Sequence, residues 1–422
     1  MIKRTPSGLP EEIIYCSECN LSNQNPTSTN EYFHTADTVQ DTVDFDENNI
    51  CAACNFNKLK WNQTINWEER EEELIELCNQ YRKNDGSYDC LVGGSGGKDS
   101  VYQSHILKYK YKMNPLTITW APHLYTDIGF QNFQNWLHVG GFDNYLYTPN
   151  GKIHRLLTRN AFKNLCHPFQ PFIMGQKTLA VKMANKFNIP LIFDGEMPGE
   201  YGRKVSHKVN QYNSVQNKKF HSQVGFSTDV LDGKDFLDTY LGGVPVREYL
   251  DEGIPLVELK SYAPLETSIL EKKPIEVHYL GYYLRWIPQE CYYYAVEHTN
   301  FEANPERTEG TYSKYNSIDD KTDGFFYYTR YIKFGIGRAM LDSAQEIRNS
   351  HITKEEGLAL IEKFDGEFPK KYQDIFLRYI NMDIDEFNDI CDNFRPKHIW
   401  EKENNLWKLK ISPSEFFKTK KN

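Results

Sequence analysis

The sequence lacks any run of about 18 consecutive apolar residues, the length that a helix needs to cross a bilayer. Its first segment, MIKRTP, also lacks the apolar stretch of a secretory signal. We therefore expect a cytoplasmic protein without a membrane span.

The chain also has fewer basic residues than acidic ones. The chain has 49 Lys and Arg against 58 Asp and Glu, which gives a net charge of -9 and a sequence pI near 5.8. Proteins that bind nucleic acid usually carry a basic face. The balance disfavours a tRNA or DNA substrate, so no nucleic acid is expected among the partners. A small anionic substrate needs only a few well-placed cations.

Four of the nine cysteines form two Cys-x2-Cys pairs near the amino terminus. A disulfide framework is not expected in a reducing cytosol. Two such pairs supply the four thiolates of a closed tetrahedral metal site. The polar sequence between them has few apolar residues to bury, so it needs a cross-link such as a metal ion to be ordered. We predict a structural Zn²⁺ held by Cys16, Cys19, Cys51 and Cys54. The alternatives are an iron–sulfur cluster and ordinary buried or redox cysteines.

The pattern along the chain indicates three regions. Residues 1–62 form a zinc-ribbon-like module, residues 63–202 an ATP-binding α/β core, and residues 203–422 an insertion followed by a mostly helical region for substrate or partner. Within the core, predicted strands at 88–93, 116–120, 145–147 and 191–194 alternate with helices at 67–83, 100–110, 127–139 and 175–187. This alternation predicts a doubly wound parallel sheet with right-handed crossovers. Residues 255–300 give no clear pattern, and the helical pattern resumes near residue 331.

A glycine-rich loop falls between the first strand and the next helix of this core. Backbone N–H groups at a helix start bind phosphate, and glycines let the backbone approach the anion. Val92 replaces the first glycine of a Walker A loop, and Asp99 stands where that motif has Ser or Thr. Asp99 also replaces the third glycine of a dinucleotide fingerprint. The predicted nucleotide-binding residues are Gly94, Ser95, Gly96, Gly97, Lys98, Asp99 and Ser100. A plain glycine-rich turn is the alternative.

Residues 95–100 resemble the PP-loop, Ser-Gly-Gly-x-Asp-Ser, of the ATP pyrophosphatase superfamily. The resemblance implies that ATP is split to AMP and pyrophosphate, with Mg²⁺, and that a substrate oxygen is adenylated. Lys98 and Asp99 would be catalytic, Asp99 either holding Mg²⁺ or orienting the loop. Glu196 follows the fourth strand, so it is expected at the same crevice as a third catalytic residue that coordinates Mg²⁺ or contacts substrate, because ligands bind at the carboxyl ends of parallel strands. Solvated carboxylates are the alternative there.

A polar segment, residues 307–324, mixes hydroxyls, amides and both charge signs without a helical or strand period. We predict that it is a substrate loop, an exposed polar loop being the alternative. Residues 331–338, which follow, place cations beside two glycines, and such cations suit a carboxylate or diphosphate. The predicted substrate-binding residues of the two segments are Lys314, Asp319, Asp320, Lys321, Lys333 and Arg338.

Taken in order, these segments are similar to the N-acetyl sugar amidotransferases of bacterial surface-polysaccharide pathways, including those to pseudaminic and legionaminic acids. The similarity extends over about residues 15–370. It implies that the acetamido group of an N-acetylated sugar becomes an acetamidino group: the amide oxygen is adenylated, ammonia attacks, and AMP leaves. Whether the sugar is UDP-linked, CMP-linked or free stays open.

The source of ammonia is a separate question. Residue 2 is Ile, so an amino-terminal cysteine nucleophile is missing, and no cysteine nucleophile elbow with a following histidine is evident. We therefore expect a separate glutaminase subunit as partner.

Two other functions remain in competition. A PP-loop tRNA-modifying enzyme, a thiolase or a lysidine-type ligase, would share the loop and the zinc site, but the acidic charge disfavours it. A non-catalytic zinc-stapled nucleotide-binding protein is disfavoured by the intact Lys98 and Asp99.

Overall fold

The computed structural model describes residues 3–26, 31, 39–195, 198–202 and 235–419. At its centre is a five-stranded sheet of order β3-β2-β1-β4-β5. Its strands are β1 (Cys90–Gly93), β2 (Pro115–Trp120), β3 (Asn144–Tyr147), β4 (Leu191–Asp194) and β5 (Glu276–Tyr279). Every neighbouring pair in this sheet is parallel, which confirms the predicted α/β class.

Helices surround the sheet and build most of the carboxyl-terminal region. The helices before β5 are α1 (Ala52–Trp61), α2 (Trp67–Tyr81), α3 (Lys98–Tyr109), α4 (Asp127–His138), α5 (Gly151–Leu165), α6 (Gln170–Lys186), α7 (Val246–Asp251), α8 (Leu256–Leu259) and α9 (Thr267–Lys272). Those after β5 are α10 (Leu280–Tyr283), α11 (Pro288–Thr299), α12 (Asp323–Phe334), α13 (Arg338–Arg348), α14 (Lys354–Phe364), α15 (Gln373–Ile380), α16 (Ile384–Asn393) and α17 (Pro413–Thr419). A hairpin of β6 (Trp400–Glu403) and β7 (Leu406–Leu409) precedes α17.

The sheet is covered on both faces because its strands are apolar on both sides. Leu91 of β1 belongs to a core that includes residues of α5 and α6, whereas Val92 belongs to the opposite core with residues of α2 and α3. A parallel strand buried on both faces appears as a continuous apolar run rather than an alternating one. That run is why the first, second and fourth strands were predictable.

Several elements differ from the sequence prediction. The fifth strand, β5, lies in the stretch without a pattern, because its polar His278 is buried by bonding to Tyr283 and Glu276 rather than by being apolar. Helix α5 and the hairpin β6–β7 were not predicted. Helix α6 begins at Gln170, ahead of the predicted start, and α12 begins at Asp323, inside the predicted substrate loop.

The amino-terminal residues pack on the carboxyl-terminal helices. Their buried cysteines and Leu21 share one apolar core with Ile336 and Met340, around the start of α13, and with Trp400 of β6. Helix α14 beside them begins with a capping box, in which Thr353 and Glu356 bond each other's backbone N–H. None of the helices within the described ranges is long and apolar enough to cross a membrane.

Candidate active site and metal centre

The strand order places a crevice at the carboxyl ends of β1 and β4. From β1 the sheet grows through β2 and β3 to one side, and from β4 it grows to β5 on the other. Ligands of open α/β sheets bind where the order reverses in this way. A cavity of about 610 Å³ opens at this point, lined by the glycine-rich loop and by one side of α12. Its volume falls within the range of small-molecule sites.

Two glycines of the loop, Gly94 and Gly96, are required by close packing. Gly96 has φ +87°, and a Cβ there would lie 2.6 Å from the backbone Cα of Phe133. A Cβ on Gly94 would lie 2.2 Å from Cβ of Ser100. Side chains at these positions would therefore push the loop away from α4 or from the start of α3.

The first turn of α3 is open toward the cavity. Gly97 is the N-cap and provides no side-chain cap, so the first N–H groups of the helix are available to an anion. The hydroxyl of Ser100 instead donates to the carbonyl of Gly97 at 2.9 Å. Lys98 Nζ lies 2.6 Å from the carboxylate of Asp99, and both residues line the cavity. The turn has the geometry of a phosphate-binding loop.

Two half-buried carboxyl groups face this loop from the carboxyl-terminal region. Asp319 accepts a hydrogen bond from the hydroxyl of Ser95, and it shares a hydrogen bond with Asp323, the first residue of α12. Burial raises the pKa of both, and the charge of Asp319 raises the pKa of Asp323 further. Asp319 was predicted from the sequence, and Asp323 was not.

The predicted cations of residues 331–338 line the cavity but have internal partners. Lys333 Nζ lies 2.6 and 2.7 Å from the two oxygens of Glu31, and it also donates to the carbonyl of Leu165 at 2.7 Å. Arg338 Nε lies 2.9 Å from Asp342, one helical turn along α13. Each charge is therefore already balanced within the protein.

The remaining predicted substrate residues lie apart from the cavity lining. Lys314 is exposed and donates to the carbonyl of Pro305. Lys321 bonds through its backbone N–H to the carbonyl of Leu124. Asp320 is buried and accepts from the backbone and ring of His123. These contacts fix the loop to the end of β2. Glu196, the predicted catalytic residue after β4, lies outside the described residues.

A buried lysine joins the amino-terminal module to this side of the cavity. Lys60 of α1 donates to the Glu200 carboxylate at 2.8 Å, to the Trp286 carbonyl at 2.6 Å and to the Asn349 side chain at 3.1 Å. The Lys60 side chain is fully buried, and that of Glu200 is 2% exposed. Glu200 also lines the cavity, and its second oxygen is buried without a protein partner among the described residues.

Replacing Lys60 with methionine is expected to lower the free energy of unfolding by about 3–5 kcal/mol, because it leaves a buried carboxylate without its countercharge. Urea unfolding measures the change. Lys58→Met is the matched control on the same helix, since Lys58 pairs with Glu18 at the exposed surface, and we expect a loss below about 1 kcal/mol. Adding Glu200→Gln to Lys60→Met should restore part of the loss. Equal losses in the two single lysine variants would contradict this assignment.

The four predicted metal ligands meet in one cluster. The sulfurs of Cys16, Cys19, Cys51 and Cys54 lie within 4.8 Å of one another, and all four residues are buried. The Cys16–Cys54 and Cys19–Cys51 distances are 3.8 and 3.6 Å. Metal–sulfur bonds of about 2.3 Å place tetrahedral sulfurs about 3.8 Å apart, so the cluster fits a single ion. This is the one group of potential metal ligands found in the described part of the chain.

An arginine connects this metal centre to the cavity. Arg348, at the end of α13, donates to the sulfur of Cys19 at 3.6 Å and to the carbonyl of Glu200 at 3.0 Å. Donors aimed at the sulfurs hold the ligands in place and offset their negative charge. The metal centre therefore supports the wall of the cavity next to Glu200.

Comparison with known proteins identifies the carboxyl-terminal region. Residues 309–412 match the C-terminal domain of the WbpG-like lipopolysaccharide (LPS) biosynthesis proteins. An uncharacterised protein of Methanocaldococcus jannaschii, MJ1599, is 35% identical over 85 residues, which are 20% of this chain and 29% of that protein. The chain thus matches less than a third of the length of this relative.

The solved structures that align with this chain are more distant. The NH3-dependent NAD synthetase of Campylobacter jejuni aligns with 50% of this chain and 93% of its own, at 14% identity and a TM-score of 0.27. The tRNA thiolase NcsA of Methanococcus maripaludis, which has a [4Fe-4S] cluster, aligns with 71% and 82%, at 14% identity and a TM-score of 0.28. The NMN synthetase of Francisella tularensis aligns with 68% and 94%, at 12% identity and a TM-score of 0.27.

The evidence for a family therefore comes from the carboxyl-terminal match. That segment contains Asp319, Asp323 and Arg338, which line the cavity together with the glycine-rich loop. Residues 309–412 are similar to the C-terminal domain of the WbpG-like LPS biosynthesis proteins, and this match supports the family resemblance drawn from the sequence.

Proposed function

We propose that the protein is an ATP-dependent amidotransferase that converts the acetamido group of a sugar to an acetamidino group. The observation that carries the proposal is the shared cavity, in which a phosphate-binding loop faces residues of a domain typical of LPS biosynthesis. The loop suits the phosphates of a nucleoside triphosphate, and the domain suits a sugar substrate. An amidine-forming reaction uses a nucleoside triphosphate and a sugar in a single site.

The chemistry requires activation of a poor electrophile. An amide carbonyl resists attack by ammonia because its oxygen is a poor leaving group. Transfer of the α-phosphate of ATP to that oxygen releases pyrophosphate and gives an O-adenylated imidate. Ammonia then adds to the imidate carbon, the C–O bond breaks, AMP leaves and a proton is lost, so that an amidine remains.

The loop residues would serve the first of these steps. The open N–H groups of α3 and the Lys98 ammonium face the position of the leaving pyrophosphate, where negative charge increases in the transition state. Asp99 would supply a hard oxygen ligand of the kind that Mg²⁺ prefers. When bound, Mg²⁺ would neutralise phosphate charge. Glu196 keeps its predicted catalytic role as a proposal.

The metal at the four-cysteine cluster is proposed to be Zn²⁺ in a structural role. All four ligands are buried thiolates, which leaves no open position for a substrate. A four-iron cluster binds each cysteine to a different iron and would hold the sulfurs farther apart than they are here. Metal analysis of protein purified under anaerobic conditions distinguishes zinc from iron.

Ammonia is proposed to come from a partner glutaminase subunit. None of the described cysteines lies in the phosphate-loop turn, and the one cysteine that lines the cavity, Cys166, is buried beside Cys391. Ammonium alone should therefore support the reaction of the isolated chain. Equal efficiency with glutamine and no partner would disprove this part of the proposal.

The reaction is tested by mass spectrometry of candidate N-acetylated sugars incubated with the protein, ATP, Mg²⁺ and ammonium. The product should be lighter than the substrate by the difference between an oxygen atom and an NH group, and AMP should form in equal amount. Asp99→Ala is expected to abolish both signals, because it removes the carboxylate beside the leaving pyrophosphate. Asp127→Ala is the matched control, because Asp127 occupies the first turn of α4 but is exposed. Unchanged activity in Asp99→Ala would refute the site.

A further inference from the structure

One edge of the central sheet is apolar and exposed. The sheet ends at β3, and within the described ranges no strand pairs with the outer side of β3. Tyr145, Leu146 and Tyr147 are 45%, 44% and 37% exposed, so three consecutive large apolar residues face solvent. At the opposite edge of the sheet, β5 is largely buried. An exposed apolar edge strand is a ready template for pairing with another strand.

The backbone of β3 also has hydrogen-bonding groups directed away from the sheet. The carbonyls of Asp143 and Tyr147 accept hydrogen bonds from the N–H groups of Thr117 (3.1 Å) and Ala121 (2.9 Å), on the side of β2. Alternate residues of a strand bond to a given neighbouring strand. The N–H and C=O groups of Leu146 therefore point to the outer side of β3, where a further strand would pair.

This edge lacks the features that usually prevent such pairing. Proteins protect their edge strands with charged side chains, prolines or bulges. Residues 144–148 are Asn-Tyr-Leu-Tyr-Thr, without a charge, a proline or a glycine. The hairpin β6–β7 provides a contrast, because it also exposes a leucine, Leu406, but its strands are charged. Those charged residues are Glu401, Lys402, Glu403 and Lys408. The edge of β3 is therefore distinguished by its composition as well as by its exposure.

The edge is complementary to itself. If two copies meet antiparallel about a two-fold axis at Leu146, this residue lies opposite its own copy, and the outward backbone groups exchange two hydrogen bonds. Tyr145 then lies opposite Tyr147 of the second copy, and cross-strand aromatic pairs stabilise antiparallel strands. Asp143 lies opposite Pro149 of the second copy, so that like charges do not meet. A single register thus satisfies the backbone and pairs the aromatic side chains.

We propose that β3 is the interface for a second copy of this chain, and that it joins two five-stranded sheets into one of ten strands. Such an interface is isologous, because both copies use the same surface, and the assembly therefore closes at two chains. The proposal does not depend on the proposed function. The strand β2 separates β3 from β1 and its glycine-rich loop, so the dimer leaves the cavity of each copy open.

Sedimentation equilibrium of the purified chain tests the interface. We expect a mass of about 99 kDa, twice the 49.5 kDa of one chain. Leu146→Lys should lower the mass to that of one chain, because two lysines would then meet at the axis. Leu406→Lys is the matched control, since it places the same charge on another exposed leucine, and it should remain a dimer. A wild-type mass of one chain, a mass above two chains, or a dimer that survives Leu146→Lys would overturn the proposal.

Cysteine cross-linking tests the register without adding a charge. Leu146→Cys is expected to give a covalent dimer on air oxidation, because the Cα atoms of a hydrogen-bonded antiparallel pair lie about 5.5 Å apart, within the range of a disulfide. Asn144→Cys should stay uncross-linked, because residue 144 faces Thr148 of the second copy and lies roughly 13 Å from its own copy. The wild type gives the background, since its nine cysteines are buried. Equal cross-linking of the two variants, or none in Leu146→Cys, would contradict pairing centred on Leu146.

Discussion

Replacing Gly96 with alanine is expected to lower the rate of ATP-dependent AMP formation by at least about 100-fold, because a displacement of about 1 Å at a reacting group already costs that much. The residue has φ +87°, a conformation that costs an L-residue about 1–2 kcal/mol. Its added Cβ would lie 2.6 and 2.9 Å from the backbone Cα and N of Phe133. A backbone contact cannot be relieved by a change of rotamer, so the loop must move away from α4. Pyrophosphate release under saturating ATP measures the effect.

Gly93→Ala is the matched control for that experiment. Gly93 lies at the end of β1, next to the loop, and a Cβ built on it meets no heavy atom within 4 Å. We expect activity close to that of the wild type. If Gly96→Ala were as active as Gly93→Ala, the turn at residues 94–97 would not be the phosphate site. If both were inactive, the loss would come from the strand end and not from the close contact with α4.

The sheet was predictable where burial leaves an apolar signature. Leu91 and Val92 belong to opposite cores, so β1 has an unbroken apolar run in the sequence. In β5, by contrast, Glu276 and His278 bond each other, and His278 also bonds Tyr283. These polar residues are ordered by partners that only the folded chain brings together. No period in the sequence could have indicated them.

The candidate site also has a part that the sequence predicted and a part that it did not. The glycine-rich loop is a local feature, and its residues are consecutive, so the sequence revealed it in full. The cations are different, because their role depends on partners distant in the chain. Lys333 pairs with Glu31, which is 302 residues away in the sequence. The positive charge that was predicted to bind substrate is therefore already neutralised within the protein.

Cys51→Ser is expected to remove the bound metal and to lower the free energy of unfolding by at least about 3 kcal/mol, since a structural zinc site of four thiolates contributes on the order of 10–16 kcal/mol of binding free energy. Cys51 is fully buried, and its sulfur lies 3.6 Å from that of Cys19. Without the ion, the polar amino-terminal module retains only its share of the core around Ile336 and Met340. Elemental analysis and urea unfolding measure the two effects.

An ordinary buried cysteine, Cys78, provides the matched control for this prediction. Cys78 of α2 is as buried as Cys51, but it lies outside the four-sulfur cluster. Cys78→Ala should keep the metal and lose about 1–2 kcal/mol, as expected for a small cavity. Because Arg348 bonds both Cys19 and the Glu200 carbonyl, loss of the metal should also weaken substrate turnover, whereas Cys78→Ala should not. A Cys51→Ser protein that retained stoichiometric metal, or that unfolded like Cys78→Ala, would show that the cluster does not hold an ion.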